Sequence, residues 1–448
     1  MRPAHRSSSP KVDPAHVPAR SDGPFFRYAA AIFAVALAVR LLHVWLLSKS
    51  PFFTALMGDA KGYDDWAKRI AGGEWIGTDV FYQAPLYPYF LGVVYKLFGH
   101  SLGALRVIQA GMGAASCAFL GLAGYRFFSV WVGLIAGSAL ALYAPAIFFD
   151  ALVQKSVLDL FFLTLSLWLV GRLVDSPRNR RDWLLLGLAM GGLSLTRENA
   201  LVFVVVIVGW ALLRTTTGTA AVTGTTPADR LVTSSAPPAA ARGGATGSGR
   251  DHLALRSRVD FLVSFVVGLA IVLLPVAVRN YAVGGGFYLT TSQFGPNFFI
   301  GNNPKADGTY ASLRFGRGAP EYERTDASEL AEHALGRSLT PAEVSNYWTT
   351  RGLAFITEHP GDWLTLMARK VALLVNATEM LDTEAQESHA EWSWPLRVGG
   401  VFGHFGVLAP LACIGLILGW RLRSRLSVLY VMLAAYAASV LLFYVFAR

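Results

Sequence analysis

Long apolar runs separated by short polar segments are the feature that most constrains how this 448-residue chain can fold. The run at residues 25–47 holds about 23 residues, which is enough to cross the hydrocarbon core of a bilayer as a helix. Charged residues make up only 15% of the chain, whereas soluble proteins carry about 25%. A soluble enzyme, a coiled coil and a disordered chain are therefore excluded. The pattern predicts an all-α polytopic membrane protein.

The remaining composition limits the partners and cofactors. The formal net charge of +10 in such a protein predicts cytoplasmic loops that face anionic lipid, not binding of nucleic acid. The only two cysteines, Cys117 and Cys413, lie in apolar runs, so no disulfide framework or cysteine-based metal site is predicted. No metal-binding or nucleotide-binding motif occurs, and we expect no metal or other cofactor.

The distribution of arginine predicts about nine spans with a cytoplasmic N-terminus, because cytoplasmic loops are enriched in Arg and Lys. Arg178, Arg181 and Arg425 are among the residues that this rule places inside. Two external regions then follow, at 48–100 and at 281–398, and the second is of mixed character. The predicted spans lie at 25–47, 102–124, 130–149, 152–174, a hairpin of two within 183–213, 260–280, 401–420 and 426–446.

Composition also divides the chain into domains. Residues 1–24 are polar, basic and rich in proline, which predicts a disordered cytoplasmic tail, and 214–258 predicts a disordered cytoplasmic linker of low complexity. The rest of the chain is predicted to comprise an N-terminal membrane module at 25–213, a span at 259–280, the external region 281–398 and a pair of C-terminal spans at 399–448.

Three segments do not fit simple spans. The apolar piece 84–98 covers only about 22 Å as a helix, so an interfacial or re-entrant helix is predicted. The amphipathic stretch 362–378 is predicted to lie in the interface. The run 183–213 is interrupted at 196–199, which predicts a hairpin whose tip, Arg197, lies at half depth. Lipid would not tolerate that charge, so Arg197 must line a cavity within the protein.

Several charged residues near the external side could do chemistry. Asp59 is a candidate general base, and the alternative is that it merely caps the following helix. Lys155 and Asp159 are four residues apart and could pair on one helix face. Arg197 is a candidate phosphate site, and the alternative is an ion pair with Glu198. Two weaker candidates lie in the second external region: Asn302 stands in a turn of Gly, Asn and Pro, while Arg369 and Lys370 would either anchor lipid phosphate or reach past apolar surface to water.

The order of these motifs resembles a known enzyme class. Gly58-Asp59 after a first span, Ala84-Pro85-Leu86-Tyr87-Pro88-Tyr89, Ser156-Val157-Leu158-Asp159, Leu195-Thr196-Arg197 and Arg279-Asn280-Tyr281 follow one another as in bacterial members of glycosyltransferase families 39 and 83. These protein O-mannosyltransferase-like and lipid A aminoarabinose transferase-like enzymes have the C-type glycosyltransferase (GT-C) fold and use polyprenyl-phosphate sugars. The resemblance covers residues 26–448 apart from the linker.

The resemblance implies roles for individual residues. Asp59 matches the proposed catalytic base, Asp159 matches the aspartate that lines the active site, and Arg197 matches the residue that binds the lipid phosphate. Lys155 and Arg279 would assist at the phosphate. Weaker substrate-binding roles fall to Lys61, Tyr63, Gln83, Tyr87, Asn302, Arg369 and Lys370.

The resulting prediction is a bacterial inner-membrane glycosyltransferase. It would transfer a sugar, with inversion, from a polyprenyl-phosphate donor to a hydroxyl of a glycolipid, protein or cell-wall polymer on the periplasmic face. The alternatives are a secondary transporter, an O-antigen ligase or polymerase that uses a diphosphate-linked donor, and a non-catalytic scaffold. Related sequences continue past the counterpart of Arg448, so a truncated family member is also an expectation.

Overall fold

The computed structural model describes residues 21–217, 247–318, 320–376 and 384–445. In these ranges the chain forms eighteen α-helices and no strands. The predicted tail 1–24, except for its last four residues, and positions 218–246 of the predicted linker lie outside the described residues. The helices are α1 Phe26–Leu47, α2 Gly58–Ala71, α3 Leu86–Phe98, α4 Leu102–Phe127, α5 Val130–Leu142, α6 Ala144–Ala151, α7 Ser156–Asp175, α8 Arg180–Ser194, α9 Leu201–Thr217, α10 Gly247–Gly284, α11 Phe294–Gly301, α12 Pro320–Leu335, α13 Pro341–Glu358, α14 Pro360–Leu374, α15 Gln386–Ala390, α16 Trp394–Phe402, α17 Phe405–Gly419 and α18 Arg423–Leu441.

The prediction of an all-α, multi-pass membrane protein is confirmed. In the described ranges five helical segments are long and apolar enough to cross a bilayer, and α5 with α6 adds a sixth if that bent pair is one span. The hairpin arms α8 and α9 are shorter, at 15 and 17 residues. The predicted count of nine spans therefore depends on these shorter helices and stays a prediction.

The C-terminal end of α6 is anchored by two side chains of α4. The two helices meet at 54°, and α6 ends inside the bundle with its last carbonyls pointing at α4. Gln109 donates to the carbonyls of Asp150 and Leu152 at 2.9 and 2.7 Å, and Arg106 donates to that of Ala151 at 2.8 Å. Unpaired carbonyls at a helix C-terminus attract donors and positive charge. The last carbonyls of α6 are thereby hydrogen-bonded inside the bundle.

A buried ion pair joins α1 to α6. Arg40 donates to Asp150 at 2.6 Å, and neither side chain is more than 3% exposed. A Cβ on Gly113 would lie 2.0 Å from the Asp150 carboxylate, so glycine provides the room for the pair. Neither Arg40 nor Asp150 is among the functional residues predicted from the sequence. Loss of either partner would leave a buried unpaired charge, which costs about 3–5 kcal/mol.

A cluster of ion pairs connects the helix ends on one side of the bundle. Asp175 at the end of α7 pairs with Arg126 of α4 at 3.1 Å and with Arg425 of α18 at 2.6 Å. Asp22 pairs with Arg126 at 2.6 Å. Residues 21–24 of the predicted tail are among the described residues: Asp22 joins this cluster, and a turn forms at Gly23–Phe25. Helices α2 and α3 lie at the other end of the bundle.

The predicted hairpin is present, and a third helix packs tightly on it. The chain breaks between α8 and α9 at residues 195–200, where a short turn forms. Helix α8 crosses α10 with its backbone in contact: a Cβ on Gly187 would lie 2.1 Å from the carbonyl oxygen of Phe265, and one on Gly268 would lie 2.2 Å from that of Leu184. Small residues allow such close approach between membrane helices.

The last two helices fold back on each other. The hydroxyl of Tyr430 in α18 donates to the carbonyl of Leu416 in α17 at 2.9 Å. On one continuous helix these residues would be about 21 Å apart, too far for a tyrosine side chain to reach. The bend lies at Trp420–Leu422, next to the arginines that sequence analysis placed in a loop between two spans.

The external regions add helices around the end of the bundle that carries α2 and α3. Helix α12 packs on α13 around Ala327, Ala331, Val344 and Trp348. The amphipathic stretch predicted at 362–378 forms α14, which ends at Leu374.

The close contact between α8 and α10 leads to a prediction. We expect Gly187→Ala to lower the unfolding temperature in detergent, because the added methyl group must push the two backbones apart at a cost of about 1–3 kcal/mol. Gly111→Ala in α4 is the matched control, since nothing lies within 4 Å of its Cβ position. Equal unfolding temperatures for the two variants would contradict the close approach.

Candidate functional site

The centre of the candidate site is an ion pair between the hairpin tip and α7. Both Nε and Nη2 of Arg197 donate to the same carboxylate oxygen of Asp159, at 2.9 and 2.8 Å. The backbone N–H of Arg197 donates to the carbonyl of Leu193 at 2.8 Å, which fixes the turn. Arg197 thus lies inside the protein as predicted, and its partner is Asp159 and not Glu198.

In this ion pair, one nitrogen of Arg197 and one oxygen of Asp159 make no hydrogen bond to the described residues. The Arg197 side chain is 23% exposed, and its Nη1 donates to no other described residue. The second carboxylate oxygen of Asp159 is buried without a hydrogen bond among the described residues. A guanidinium that is held on one edge presents its other edge to an anion in a fixed orientation. Asp159 therefore orients Arg197.

Lys155 stands one helical turn before Asp159, at the start of α7. The predicted pair between these two residues does not form, because Asp159 binds Arg197. The Lys155 ammonium has no partner among the described residues and is half-buried. A helix N-terminus carries a partial positive charge, so this end of α7 adds to the positive potential beside Arg197.

Asp59 lies in the first turn of α2, within the predicted external region 48–100. The helix begins at Gly58, and its N-cap is Met57, so the alternative that Asp59 is the N-cap residue is wrong. Asp59 is half-buried and takes part in an interaction with the rest of the protein. Its predicted role as a base is not decided by this placement.

Helix α2 is fixed against α3 through Asp64. This carboxylate accepts hydrogen bonds from Tyr95 at 2.6 Å and His100 at 2.8 Å, and it pairs with Lys68 at 2.6 Å. Burial opposes ionisation, but the three donors outweigh it and lower the pKa of Asp64. The start of α2, and with it Asp59, is thereby held in place.

Two observations bring the first external segment and the hairpin tip to the same space. The backbone N–H of Leu86, at the start of α3, donates to the carbonyl of Leu195 at 3.2 Å. Tyr444, just beyond α18, has a raised pKa because of burial and because of the nearby negative charges of Glu323, Glu198 and Asp59. Tyr444 thus lies within electrostatic range of both segments.

Glu198 follows Arg197 in the turn and faces the second external region. One of its carboxylate oxygens, Oε1, accepts hydrogen bonds from Gln293 at 2.7 Å and from Thr291 at 3.1 Å. The segment that contains these two donors is fixed in turn by Asn280, which bonds the carbonyl of Thr290 at 3.0 Å. Glu198 therefore joins the membrane hairpin to the external region.

Several predicted substrate-binding residues have structural partners. Tyr87 is fully buried and donates to Gln109 at 2.7 Å, and Tyr63 packs against it at the core of the α2–α3 unit. Asn302 is 1% exposed and donates to the carbonyl of Leu442 at 2.7 Å. Lys370 is fully buried and donates to the carbonyl of Leu441 at 3.0 Å. These contacts account for the four residues without a substrate.

The other weaker predictions lie at the surface or in loops. Arg279 donates to the carbonyls of Ile76 and Asp79 and lies over the Phe81 ring, so a phosphate would have to compete with these contacts. Lys61 is exposed and pairs with Asp65 on α2, Arg369 is exposed on α14, and Gln83 is half-buried just before α3.

Sequence analysis missed Tyr444 and gave Glu198 no role beyond a pair with Arg197. Tyr444 follows Arg425 by 19 positions, about the length of a membrane span, but this spacing does not indicate which residues lie near it. Among the described residues, no group of three or more His, Cys, Asp or Glu side chains could hold a metal ion.

Part of this chain is similar to a known protein family. Residues 82–224, about a third of the chain, match the family model of dolichyl-phosphate-mannose-protein mannosyltransferase. No curated protein matches the chain. One similar solved structure is ArnT from Cupriavidus metallidurans bound to undecaprenyl phosphate, with 17% identity, a TM-score of 0.39, and coverage of 94% of this chain and 76% of that one. The family match confirms the predicted resemblance to GT-C glycosyltransferases over the segment that carries α3 to α9.

Proposed function

We propose that this protein transfers a sugar, with inversion, from a polyprenyl-phosphate donor to an acceptor hydroxyl at the end of the bundle that carries Asp59. The observation that carries the proposal is the partly exposed Arg197, oriented by Asp159 inside the protein at the tip of a membrane hairpin. The matched family, whose description names a polyprenyl-phosphate sugar as donor, supports the same class of substrate.

In this proposal Arg197 binds the donor phosphate. The free edge of its guanidinium would form charge-assisted hydrogen bonds to the phosphate oxygens. Lys155 would add a second positive charge from the start of α7. As the bond between the sugar and the phosphate breaks, negative charge grows on the leaving phosphate, and these fixed charges stabilise it without reorganisation.

Asp59 is the proposed general base. It would remove the proton from the acceptor hydroxyl as that oxygen attacks the anomeric carbon of the donor. Inversion requires that the base and the leaving phosphate lie on opposite faces of the sugar. Asp59 precedes Ala60 of α2, which packs in one cluster with Leu158 of α7, the neighbour of the Asp159 that binds Arg197. The base and the phosphate site thus come from different segments, which suits this geometry. The leaving group is a monophosphate, so two cations can neutralise it.

We also propose that this end of the bundle is periplasmic, in a bacterial inner membrane. Arg425 and Arg126 lie together at the opposite end, beside α8 with its N-terminal arginines. Arginine-rich helix ends are retained on the cytoplasmic side. The external regions would then receive the acceptor outside the cytoplasm.

The role of Asp59 leads to a prediction for turnover. We expect Asp59→Asn to lower transfer from a labelled polyprenyl-phosphate sugar to acceptors in native membranes by about 10²–10⁴-fold, because the amide cannot accept the proton. The control is Asp65→Asn, an exposed carboxylate on the same helix. If Asp59→Asn keeps the rate of the control, Asp59 is not the base.

A second prediction concerns binding of the lipid phosphate. We expect Arg197→Lys to weaken binding of undecaprenyl phosphate to the purified protein by about 10-fold or more, because lysine keeps the charge but loses the planar fork. Asp59→Asn should bind this lipid as the wild type does. Arg180→Lys, at an exposed ion pair with Asp260, is the matched control. Undiminished binding by Arg197→Lys would exclude Arg197 as the phosphate site.

A further inference from the structure

The second side of the site is formed by Glu198 and Tyr444. Glu198 is half-buried, and its Oε1 is occupied by Gln293 and Thr291. Its other oxygen, Oε2, accepts no hydrogen bond from any described residue and is not sealed from solvent. A carboxylate that is fixed through one oxygen and open at the other is an oriented hydrogen-bond acceptor.

Tyr444 follows the last span, α18, and lies in a segment that is fixed to the second external region. The segment after α18 is pinned to the external region, since Asn302 and Lys370 bond the carbonyls of Leu442 and Leu441 and the N–H of Val445 donates to the carbonyl of Gly308 at 2.9 Å. The Tyr444 hydroxyl donates to the side-chain oxygen of Asn297 at 3.2 Å.

The Tyr444 hydroxyl is a hydrogen-bond donor whose described partner is a neutral amide. Burial and the charges of Glu323, Glu198 and Asp59 raise the pKa of Tyr444, so its hydroxyl stays protonated at neutral pH and keeps its capacity to donate. The hydrogen bond to the neutral Asn297 amide is long at 3.2 Å and easily exchanged for a better acceptor.

The position of these two groups is set by the chemistry already proposed. If the phosphate is bound at Arg197 and the base is Asp59, the sugar ring must lie between them. Glu198 is the next residue after Arg197. Tyr444 bonds to Asn297, which lies one helical turn after Gln293, the residue that binds Glu198. The sugar would then be bordered by Glu198, a hydrogen-bond acceptor, and by Tyr444, a hydrogen-bond donor.

We propose that Glu198 and Tyr444 bind the sugar of the donor lipid, with Glu198 Oε2 accepting hydrogen bonds from its hydroxyl groups and the Tyr444 hydroxyl donating to its oxygens. This inference rests on the proposed function and adds a specificity site to it. Neither residue is assigned to the lipid phosphate, and this separates their effects from those of Arg197.

The test compares bare and sugar-loaded lipids on the purified full-length protein. Undecaprenyl phosphate is compared with its mannosyl, glucosyl and arabinosyl phosphodiesters by native mass spectrometry or titration. The wild type should bind at least one loaded lipid more tightly than the bare lipid. Glu198→Gln keeps an oxygen for Gln293 and Thr291 but places an amide donor at the open position. We expect it to weaken binding of that loaded lipid by about 10–100-fold and to leave the bare lipid unchanged.

Tyr444→Phe should show the same selective loss, to a smaller extent of about 3–10-fold, because a neutral hydrogen bond is weaker. The matched controls are Glu329→Gln and Tyr322→Phe, which change the same groups at exposed positions of α12. A role only in folding would weaken both lipids together, and that result overturns the inference.

The outcomes separate the two proposals. If the wild type does not bind the bare lipid, the proposed function fails. If it binds the bare lipid but none of the loaded lipids more tightly, or if Glu198→Gln and Tyr444→Phe bind the loaded lipid as the controls do, only the sugar site fails.

Discussion

The ion pair between Arg197 and Asp159 is the interaction on which the site depends. A guanidinium inside a helical membrane protein is costly unless it has a partner within the bundle. Asp159 supplies that partner from α7, and it does so with one carboxylate oxygen, so part of the guanidinium stays open. The same contact therefore makes the charge tolerable and leaves it able to bind an anion.

Much of the surrounding structure holds the two residues of this pair in place. Helix α8, which leads to the hairpin tip, is locked to α10 by backbone contact at Gly187. At its far end α7 is anchored through Asp175 to α4 and to α18. These contacts involve backbone and buried charge, which allow little adjustment, so the orientation of Arg197 is set by the whole bundle.

The last span links the two ends of the molecule. It begins in the cluster of ion pairs at Arg425, stacks Tyr436 on Phe203 of α9, and leads to Tyr444, which bonds to Asn297. The external helices then hold its end through Asn302 and Lys370. Asn302 and Lys370 are substrate-binding candidates in the sequence, but in the structure they fix the segment that carries Tyr444. Tyr444 is the stronger candidate for contact with a substrate.

The sequence by itself determined the class of protein, the apolar segments, the interruption of the hairpin at residues 196–199 and the importance of Arg197, because hydrophobic length and intramembrane charge are local properties. It could not determine which partner each charge takes. Asp159 was as free to pair with Lys155 as with Arg197, and Arg40 and Asp150 are 110 residues apart. Such pairings depend on which helices become neighbours and on where glycines allow close approach. For the same reason only the tertiary structure brought Tyr444 to the site, since nothing in its own segment indicates what lies across the bundle.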